Sequence, residues 1–174
     1  MRGMFLDVLR RFLVATLGFL LACAEQAAPT YTRVSGPVPD ILTPTRTPAT
    51  LVVFWATWCP PCREELGPLR TLAQDPPRGL SVVTFGQDES AANVTEFFGG
   101  GIPPELGYRP DPDHRAASAF GVDVLPAAFL VADGQLVARF GGARDWNSRE
   151  MRRLLEKLAR ERRAAGARQD PREG

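Results

Sequence analysis

Two cysteines separated by two prolines carry the chemistry that this sequence makes plainest. Cys59 and Cys62 lie three positions apart, so on a helix their side chains share one face and can form a disulfide. A thiolate that attacks a foreign disulfide, with a second thiol in reach to resolve the mixed disulfide, is a two-electron redox pair. The spacing therefore predicts thiol–disulfide exchange.

The flanking residues predict that this pair lies where a strand turns into a helix. Residues 51–56 form an unbroken apolar run that is typical of a buried strand. Leu66, Leu69 and Leu72 then follow at the spacing of a one-sided helix. Free main-chain N–H groups and the helix dipole at the start of that helix favour Cys59 as a thiolate. The two intervening prolines are tolerated in a first helical turn.

The cysteine pair fits a zinc site or a purely structural disulfide less well than it fits a redox site. A structural zinc site needs two further Cys or His ligands, and outside the pair the chain offers Cys23 and His114. A purely structural disulfide would close so short a loop that it would restrain the unfolded chain little. We therefore predict no metal site and expect His114 on an exposed helix turn.

The N-terminus is typical of an export signal. Arg2, Arg10 and Arg11 precede an apolar segment, residues 12–22, that is short for a membrane span but fits the core of a signal sequence. The segment ends in Leu-Leu-Ala before Cys23, which resembles a bacterial lipobox. We expect cleavage and lipidation at Cys23, with an uncleaved N-terminal anchor as the alternative. Either way the protein is exported and membrane-tethered, facing the periplasm or the cell exterior, where disulfides persist.

The predicted domain organisation follows from composition. Residues 1–22 are the signal or anchor, and residues 23–48 are a linker rich in Pro and Thr, in which residues 38–42 could add a short edge strand. Residues 49–163 form one α/β domain, and residues 164–174 are a disordered tail. The net charge of +1 gives no field that favours nucleic acid as a partner.

Within the domain, strand and helix patterns alternate. Strands are predicted at residues 51–56, 80–85, 105–109, 127–132 and 135–140. The Asp133-Gly134 pair between the last two strands predicts a two-residue hairpin. Beyond the helix after the cysteines, helices are predicted with N-caps at Ser90, Asp111 and Asn147, the last in a capping box with Glu150. Trp146 is expected to pack at the start of the final helix. This order predicts a sheet flanked by helices.

Residues 54–63, FWATWCPPCR, resemble the active-site segment of thioredoxin-fold proteins. The likeness is strongest to the membrane-tethered TlpA/ResA-like branch of thiol–disulfide oxidoreductases, which includes reductants of cytochrome c maturation. It extends over residues 51–158 and includes GVDVLPAAFLV at residues 121–131. The resemblance implies a thioredoxin fold with a central mixed sheet and the extra strand–helix insertion of this branch. It implies no cofactor, protein thiols or disulfides as substrates, and a membrane or exported thiol as electron donor.

The resemblance also implies roles for particular residues. Cys59 is the nucleophile and Cys62 resolves the mixed disulfide. Pro126 is the cis-proline that faces the pair, and the backbone of Leu125 is a docking edge for an extended substrate peptide. Trp58, together with Leu125 and Pro126, shapes this docking surface.

Glu65 is implied to be the proton acceptor for Cys62. Cytosolic thioredoxins carry a buried Asp at the position that Val53 occupies in this sequence. The side chain of Val53 cannot take a proton. In the TlpA/ResA-like branch a Glu three residues after the second Cys serves instead, and Glu65 matches it. The alternative is that Glu65 is a solvated helix carboxylate like Glu64.

Two other functions remain open from the sequence. A thiol peroxidase shares the fold, and Thr57 and Pro60 resemble its surroundings loosely. A copper(I) chaperone could use the soft thiolates, although no Met- or His-rich tract lies beside the motif. The leading prediction is a protein-disulfide reductase, with apocytochrome c maturation as a candidate process.

Overall fold

The fold is described from a computed structural model, which covers residues 29–42 and 47–168. The predicted signal segment, residues 1–22, and the predicted lipidation site, Cys23, lie outside the described residues. Among the helices of the described ranges, none has the length and apolar character needed to cross a membrane.

A six-stranded mixed sheet forms the centre, in the order β1-β6-β5-β2-β3-β4. Its strands are β1 (Thr32–Arg33), β2 (Ala49–Trp55), β3 (Leu80–Gly86), β4 (Tyr108–Pro110), β5 (Ala127–Ala132) and β6 (Gln135–Gly141). The helices are α1 (Pro60–Gln74), α2 (Ala91–Phe97), α3 (Arg115–Ala119) and α4 (Arg149–Ala167). Helix α2 and strand β4 lie between β3 and α3, where they supply the extra helix and strand that the resemblance implies.

Strand β2 lies at the middle of the sheet and leads into the cysteine pair. It runs parallel to β3 and antiparallel to β5, and all seven of its residues are buried. Leu51, Val53 and Trp55 enter one core together with α1 and α4, whereas Val52 and Phe54 enter a second core with α3. Because both faces are covered, the strand carries an apolar run without alternation.

The predicted hairpin is confirmed. Strands β5 and β6 pair antiparallel around Asp133 and Gly134, whose φ angles are 48° and 68°. Positive φ at both positions is the requirement of a two-residue type I′ turn.

The third predicted strand is wrong in its extent. Residues Pro104–Leu106 form a 3-10 turn, and the strand begins only at Tyr108. Two adjacent prolines, Pro103 and Pro104, favour the turn. Gly107, at a φ of 53°, then passes so close to β3 that a Cβ would lie 2.6 Å from the carbonyl oxygen of Val82.

The predicted N-cap of α3 is also wrong. The helix begins at Arg115, with exposed His114 as N-cap in the left-handed region, so the prediction of an exposed histidine is confirmed. Asp111 nevertheless serves this helix. Its carboxylate accepts hydrogen bonds from the main-chain N–H groups of Ala116 at 2.9 Å and Ala117 at 3.0 Å, and thus reaches the first turn from outside it.

Helix α4 differs from its prediction at both ends. Ser148, not Asn147, is the N-cap, and its hydroxyl accepts from the Met151 N–H. Asn147 instead accepts a hydrogen bond from Arg152. The helix continues to Ala167, so the first residues of the predicted disordered tail are helical; residues 169–174 lie outside the described residues. Trp146 is buried just before the helix, as predicted.

The predicted edge strand at residues 38–42 is wrong. Thr32–Arg33 pairs with β6 instead, and Pro37 makes an isolated bridge to Gln135. Leu42 is buried in the second core. Part of the segment predicted as linker thus contributes a strand and a buried side chain to the domain.

Candidate active site

The sheet register brings the predicted site residues to one edge. Strand β2 ends at Trp55, and Phe54 pairs with Ala127 at the start of β5. The cysteine loop that follows β2 and the proline segment that precedes β5 therefore leave the sheet at the same end. Parallel β3 ends there too, because Trp55 pairs with Gly86.

Cys59 and Cys62 form a disulfide, as predicted, with their Cα atoms 5.3 Å apart. Cys59 is the N-cap of α1, and Cys62 lies within its first turn. Cys59 is 4% exposed and Cys62 is fully buried. An incoming thiolate therefore reaches Cys59 more readily than Cys62.

The start of α1 differs in one respect from an ordinary helix terminus. Pro60 and Pro61 occupy its first two positions and have no N–H group. The N–H of Cys59 itself donates to Ala56. The main-chain N–H of Cys62 is then the first-turn donor that remains for a Cys59 thiolate, together with the helix dipole.

Glu65 is a buried carboxylate and not a solvated one. It is 2% exposed, whereas the adjacent Glu64 is exposed. Its Oε2 accepts hydrogen bonds from the indole N–H of Trp146 at 3.0 Å and the main-chain N–H of Arg144 at 3.3 Å. Its Oε1 has no hydrogen-bond partner among the described residues. The alternative of a solvated helix carboxylate is therefore wrong.

Burial controls the protonation of Glu65. Loss of solvation raises the pKa of this carboxyl to about 7, against the opposing effects of the Trp146 and Arg144 hydrogen bonds and the Arg144 guanidinium. A carboxyl with this pKa takes up and releases a proton near neutral pH, as a general acid–base group must. Because Glu65 and Cys62 are three residues apart on α1, they share a helix face.

The Leu125–Pro126 peptide bond is cis, as predicted. Pro126 is buried, and its carbonyl oxygen accepts a hydrogen bond from the Gly142 N–H at 3.0 Å. Leu125 is half-buried, but Val124 just before it is 73% exposed. Trp58, which precedes Cys59, is 64% exposed. Two large apolar side chains thus remain in solvent on the loops that leave the sheet at this edge.

Asp88, which lies two residues beyond β3, is a site residue that was not predicted from the sequence. This carboxylate is 2% exposed. It accepts hydrogen bonds from the main-chain N–H of Thr57, at 3.1 Å and 3.2 Å to its two oxygens, and from the Thr57 hydroxyl. A polar residue just past the carboxyl end of a buried parallel strand is the signal that could have revealed it.

Arg144 and the hydrogen bond of Trp146 were not predicted from the sequence either. The guanidinium of Arg144 donates to the carbonyl oxygen of Thr30 at 2.9 Å and lies 5.2 Å from the Phe140 ring centre. The sequence predicts that Trp146 packs at the start of the final helix but does not predict its hydrogen bond. That bond joins Trp146 to Glu65, which lies 81 positions earlier in the sequence. The Gly-Gly pair that ends β6 marks this loop in the sequence without indicating its target.

No group of three or more His, Cys, Asp or Glu residues that could hold a metal ion occurs within residues 29–42 and 47–168. The imidazole of His114 shares a hydrogen bond with the Gln87 amide oxygen. Gln87 in turn donates to Asp111 at 2.8 Å. In the described ranges these polar groups therefore stabilise α3.

Comparisons with known proteins agree with this geometry. The Redoxin family model matches residues 40–155. The thiol:disulfide interchange protein CycY of Rhizobium leguminosarum bv. viciae is 36% identical over 89 residues, which are 51% of this chain and 47% of that protein. The thiol:disulfide interchange protein DsbE homolog of Paracoccus denitrificans is 33% identical over 115 residues, 64% of this chain and 62% of that protein. The chain thus spans about half the length of the curated relatives it matches.

A solved structure supports the fold. StoA from Bacillus subtilis superposes with a TM-score of 0.52 at 19% identity, over 75% of this chain and 97% of StoA. Together with the family match, this likeness confirms the predicted α/β thioredoxin fold with a central mixed sheet.

Proposed function

The chain belongs to the Redoxin family, and we propose on this basis that it is an exported thiol–disulfide oxidoreductase that reduces disulfides in exported proteins. The relatives named above are thiol:disulfide interchange proteins. One observation carries the proposal: the Cys59–Cys62 disulfide lies at the start of α1, with buried Glu65 on the same helix face.

The proposed reaction begins with the reduced pair. The Cys59 thiolate attacks one sulfur of a substrate disulfide, so that a Cys59–substrate bond forms, the substrate disulfide breaks and one substrate thiolate leaves. Cys62 then loses its proton and attacks the Cys59 sulfur. The Cys59–Cys62 disulfide forms, the mixed disulfide breaks and the second substrate thiolate leaves. Two electrons pass to the substrate. One substrate thiolate takes up the proton that Cys62 loses, and the other takes up a proton from solvent, which balances the proton that Cys59 released when it ionised.

Glu65 is proposed to handle the proton of Cys62. As a carboxylate it accepts that proton before resolution, and as a carboxylic acid it returns the proton towards the leaving thiolate. Its raised pKa of about 7 supports both directions near neutral pH.

Trp58, Leu125 and Pro126 are proposed to bind substrate. The backbone next to the cis bond offers an edge for an extended peptide. The exposed indole of Trp58 offers apolar area beside Cys59. Both features favour a polypeptide over a small disulfide.

The partners are proposed from the family resemblance. The oxidised pair must be re-reduced, and a membrane or exported thiol protein is the donor expected for an exported reductant. Apocytochrome c is the candidate substrate. The reduction potential of the domain tests the direction: a value near that of thioredoxin, about −270 mV, favours a reductant, and one near −120 mV favours an oxidant.

Export and tethering rest on the sequence. The basic and apolar segment before Cys23 supports export with lipidation at that residue. Expression of the full chain in a bacterial host with a radiolabelled fatty acid tests this. Label on the wild type but not on the Cys23→Ser variant supports lipidation, whereas an uncleaved, unlabelled and membrane-bound chain supports the anchor.

The central test is reduction of a protein disulfide by the full chain with dithiothreitol as donor. We expect the wild type to accelerate insulin reduction, the Cys59→Ser variant to show no acceleration, and the Cys62→Ser variant to accumulate a mixed disulfide. A wild type no faster than Cys59→Ser contradicts the proposal. Peroxide consumption, or stoichiometric copper(I) binding by the reduced pair, would then identify the peroxidase or the chaperone.

A further inference from the structure

The two oxygens of the Glu65 carboxylate have different surroundings. Oε2 accepts two hydrogen bonds, one from the indole of Trp146 at 3.0 Å and one from the main chain of Arg144 at 3.3 Å. Oε1 is buried and has no partner among the described residues. A buried acceptor without a partner is costly, unless a group that comes and goes, such as a proton, completes it.

We propose that Trp146 is a positioning residue for Glu65: its indole N–H holds Oε2 and thereby leaves Oε1 as the oxygen that exchanges a proton with the Cys62 thiol. The step is balanced, since the Cys62 thiol becomes a thiolate while Glu65 Oε1 becomes a hydroxyl. The inference rests on the proposed function, because it specifies how the carboxyl of that same site is held.

Packing fixes Trp146 in this role. The side chain is 1% exposed, and its ring meets Phe140 edge-on with the ring centres 5.5 Å apart. An indole held in this way has no freedom to follow Glu65 if the carboxylate turns. The hydrogen bond therefore fixes the orientation of the carboxylate, and with it the oxygen that remains open.

Few groups besides Trp146 are placed to affect the protonation of Glu65. On its own helix, Cys62 shares its face, whereas the flanking Arg63 and Glu64 are exposed. Arg144, on the loop after β6, is the charged group of the described ranges that acts on it through space. Helix α4 and strand β6 contribute apolar side chains to the same core, among them Met151 and Phe140.

The chain offers a matched control for the indole N–H. Trp55 is a second fully buried tryptophan of the same core, and its N–H has no hydrogen-bond partner among the described residues. Replacement of either tryptophan removes one buried N–H and changes packing by a similar amount. Only the N–H at position 146 contacts Glu65.

The experiment titrates the Glu65 carboxyl carbon by NMR in the oxidised full chain, assigned with Glu65→Gln, so that no activity is needed. Trp146→Phe and Trp55→Phe are compared with the wild type. Benzothienylalanine at either position keeps the ring shape and removes only the N–H, in case the phenylalanine variants fold poorly. We expect the midpoint to rise by about one pH unit for the changes at 146, since a hydrogen bond to a charged group is of that strength, and to stay constant for the changes at 55.

A second readout follows resolution of the mixed disulfide across pH. Its midpoint should rise with the NMR midpoint for the variants at 146. The inference is overturned if the Glu65 midpoint is unchanged in the variants at position 146. It is also overturned if the midpoint rises equally in the variants at positions 146 and 55. The inference is also overturned if the Glu65 titration shifts in the variants at 146 while the pH dependence of mixed-disulfide resolution does not. The carboxyl that Trp146 orients would then not exchange a proton with Cys62. A wild type without disulfide reduction instead overturns the proposed function, and the inference fails with it.

Discussion

Asp88 accepts hydrogen bonds from both the main-chain N–H and the hydroxyl of Thr57, two residues before Cys59. The contact joins the end of β3 to the cysteine loop across 31 positions of sequence. Thr57 lies in the loop between β2 and α1, which also carries the exposed Trp58. The buried carboxylate therefore fixes the segment that carries Cys59, the proposed nucleophile.

Replacement of this carboxylate should affect both stability and rate. In Asp88→Ala, the N–H and hydroxyl of Thr57 lose their acceptor, which should lower the free energy of unfolding by about 1–3 kcal/mol. The loosened loop should also slow the attack of Cys59 on a peptide disulfide severalfold. Urea unfolding and single-turnover kinetics measure the two effects.

Asp111→Ala is the matched control for this prediction. Asp111 is likewise buried and likewise accepts from main-chain N–H groups, but those belong to α3. It should lose comparable stability without a change in the rate of attack. A rate equal to the wild type in Asp88→Ala, despite lost stability, would show that Asp88 only supports folding.

The raised pKa of Glu65 predicts how stability depends on pH. The pKa is about 7 in the folded chain against an ordinary 4.5, so the folded state binds the proton more tightly than the unfolded state. The contribution of Glu65 is then greatest below pH 4.5 and is lost as pH rises to 7. Each pH unit between the two values corresponds to about 1.4 kcal/mol.

Glu65→Gln should remove this dependence. Relative to the wild type, the variant should gain up to roughly 3 kcal/mol at pH 8 compared with pH 4, measured by urea unfolding at both values. Glu64→Gln, on the exposed side of the same helix, is the control and should show no such difference. Identical pH dependence in both variants would contradict the raised pKa.

The sequence predicts the cysteine site well because its signals are local. The apolar run of β2, the two prolines and the helical spacing of Leu66 and Leu69 all lie within about twenty positions, and the structure confirms the strand, the helix and the disulfide. The cis bond before Pro126 is also confirmed, but it depended on family resemblance. A lone proline in sequence does not distinguish cis from trans.

The contacts that organise the site could not be predicted in the same way. The Glu65–Trp146 and Thr57–Asp88 hydrogen bonds join distant segments whose meeting depends on sheet register. Ser90 is confirmed as the N-cap of α2, but the predicted N-caps Asp111 and Asn147 are wrong for a related reason. Asp111 satisfies α3 from a turn before it, and a capping pattern read from adjacent positions does not describe this arrangement.

Arg144 should anchor the segment before β1 to the loop between β6 and α4. Its guanidinium donates to the Thr30 carbonyl at 2.9 Å. Arg144→Met should therefore speed amide exchange in residues 29–33, measured by mass spectrometry, and should raise the pKa of Glu65 because a nearby positive charge is lost. Arg139→Met is the control, since that guanidinium lies over Phe129 at 5.7 Å instead. Equal exchange in both variants would contradict the anchor.

Trp58 should contribute to binding of polypeptide and little to folding. The side chain is 64% exposed, so Trp58→Ala should change the free energy of unfolding by no more than about 0.5 kcal/mol. Loss of its apolar contact area should raise the KM for a peptide disulfide about tenfold with a smaller change in kcat. A small aromatic disulfide, which reaches Cys59 without a docked chain, should react at the wild-type rate, and Trp58→Phe should restore most of the peptide affinity. If both disulfides slowed equally in Trp58→Ala, Trp58 would act on the reactivity of Cys59 itself, because a docking contact changes only the reaction of the substrate that docks.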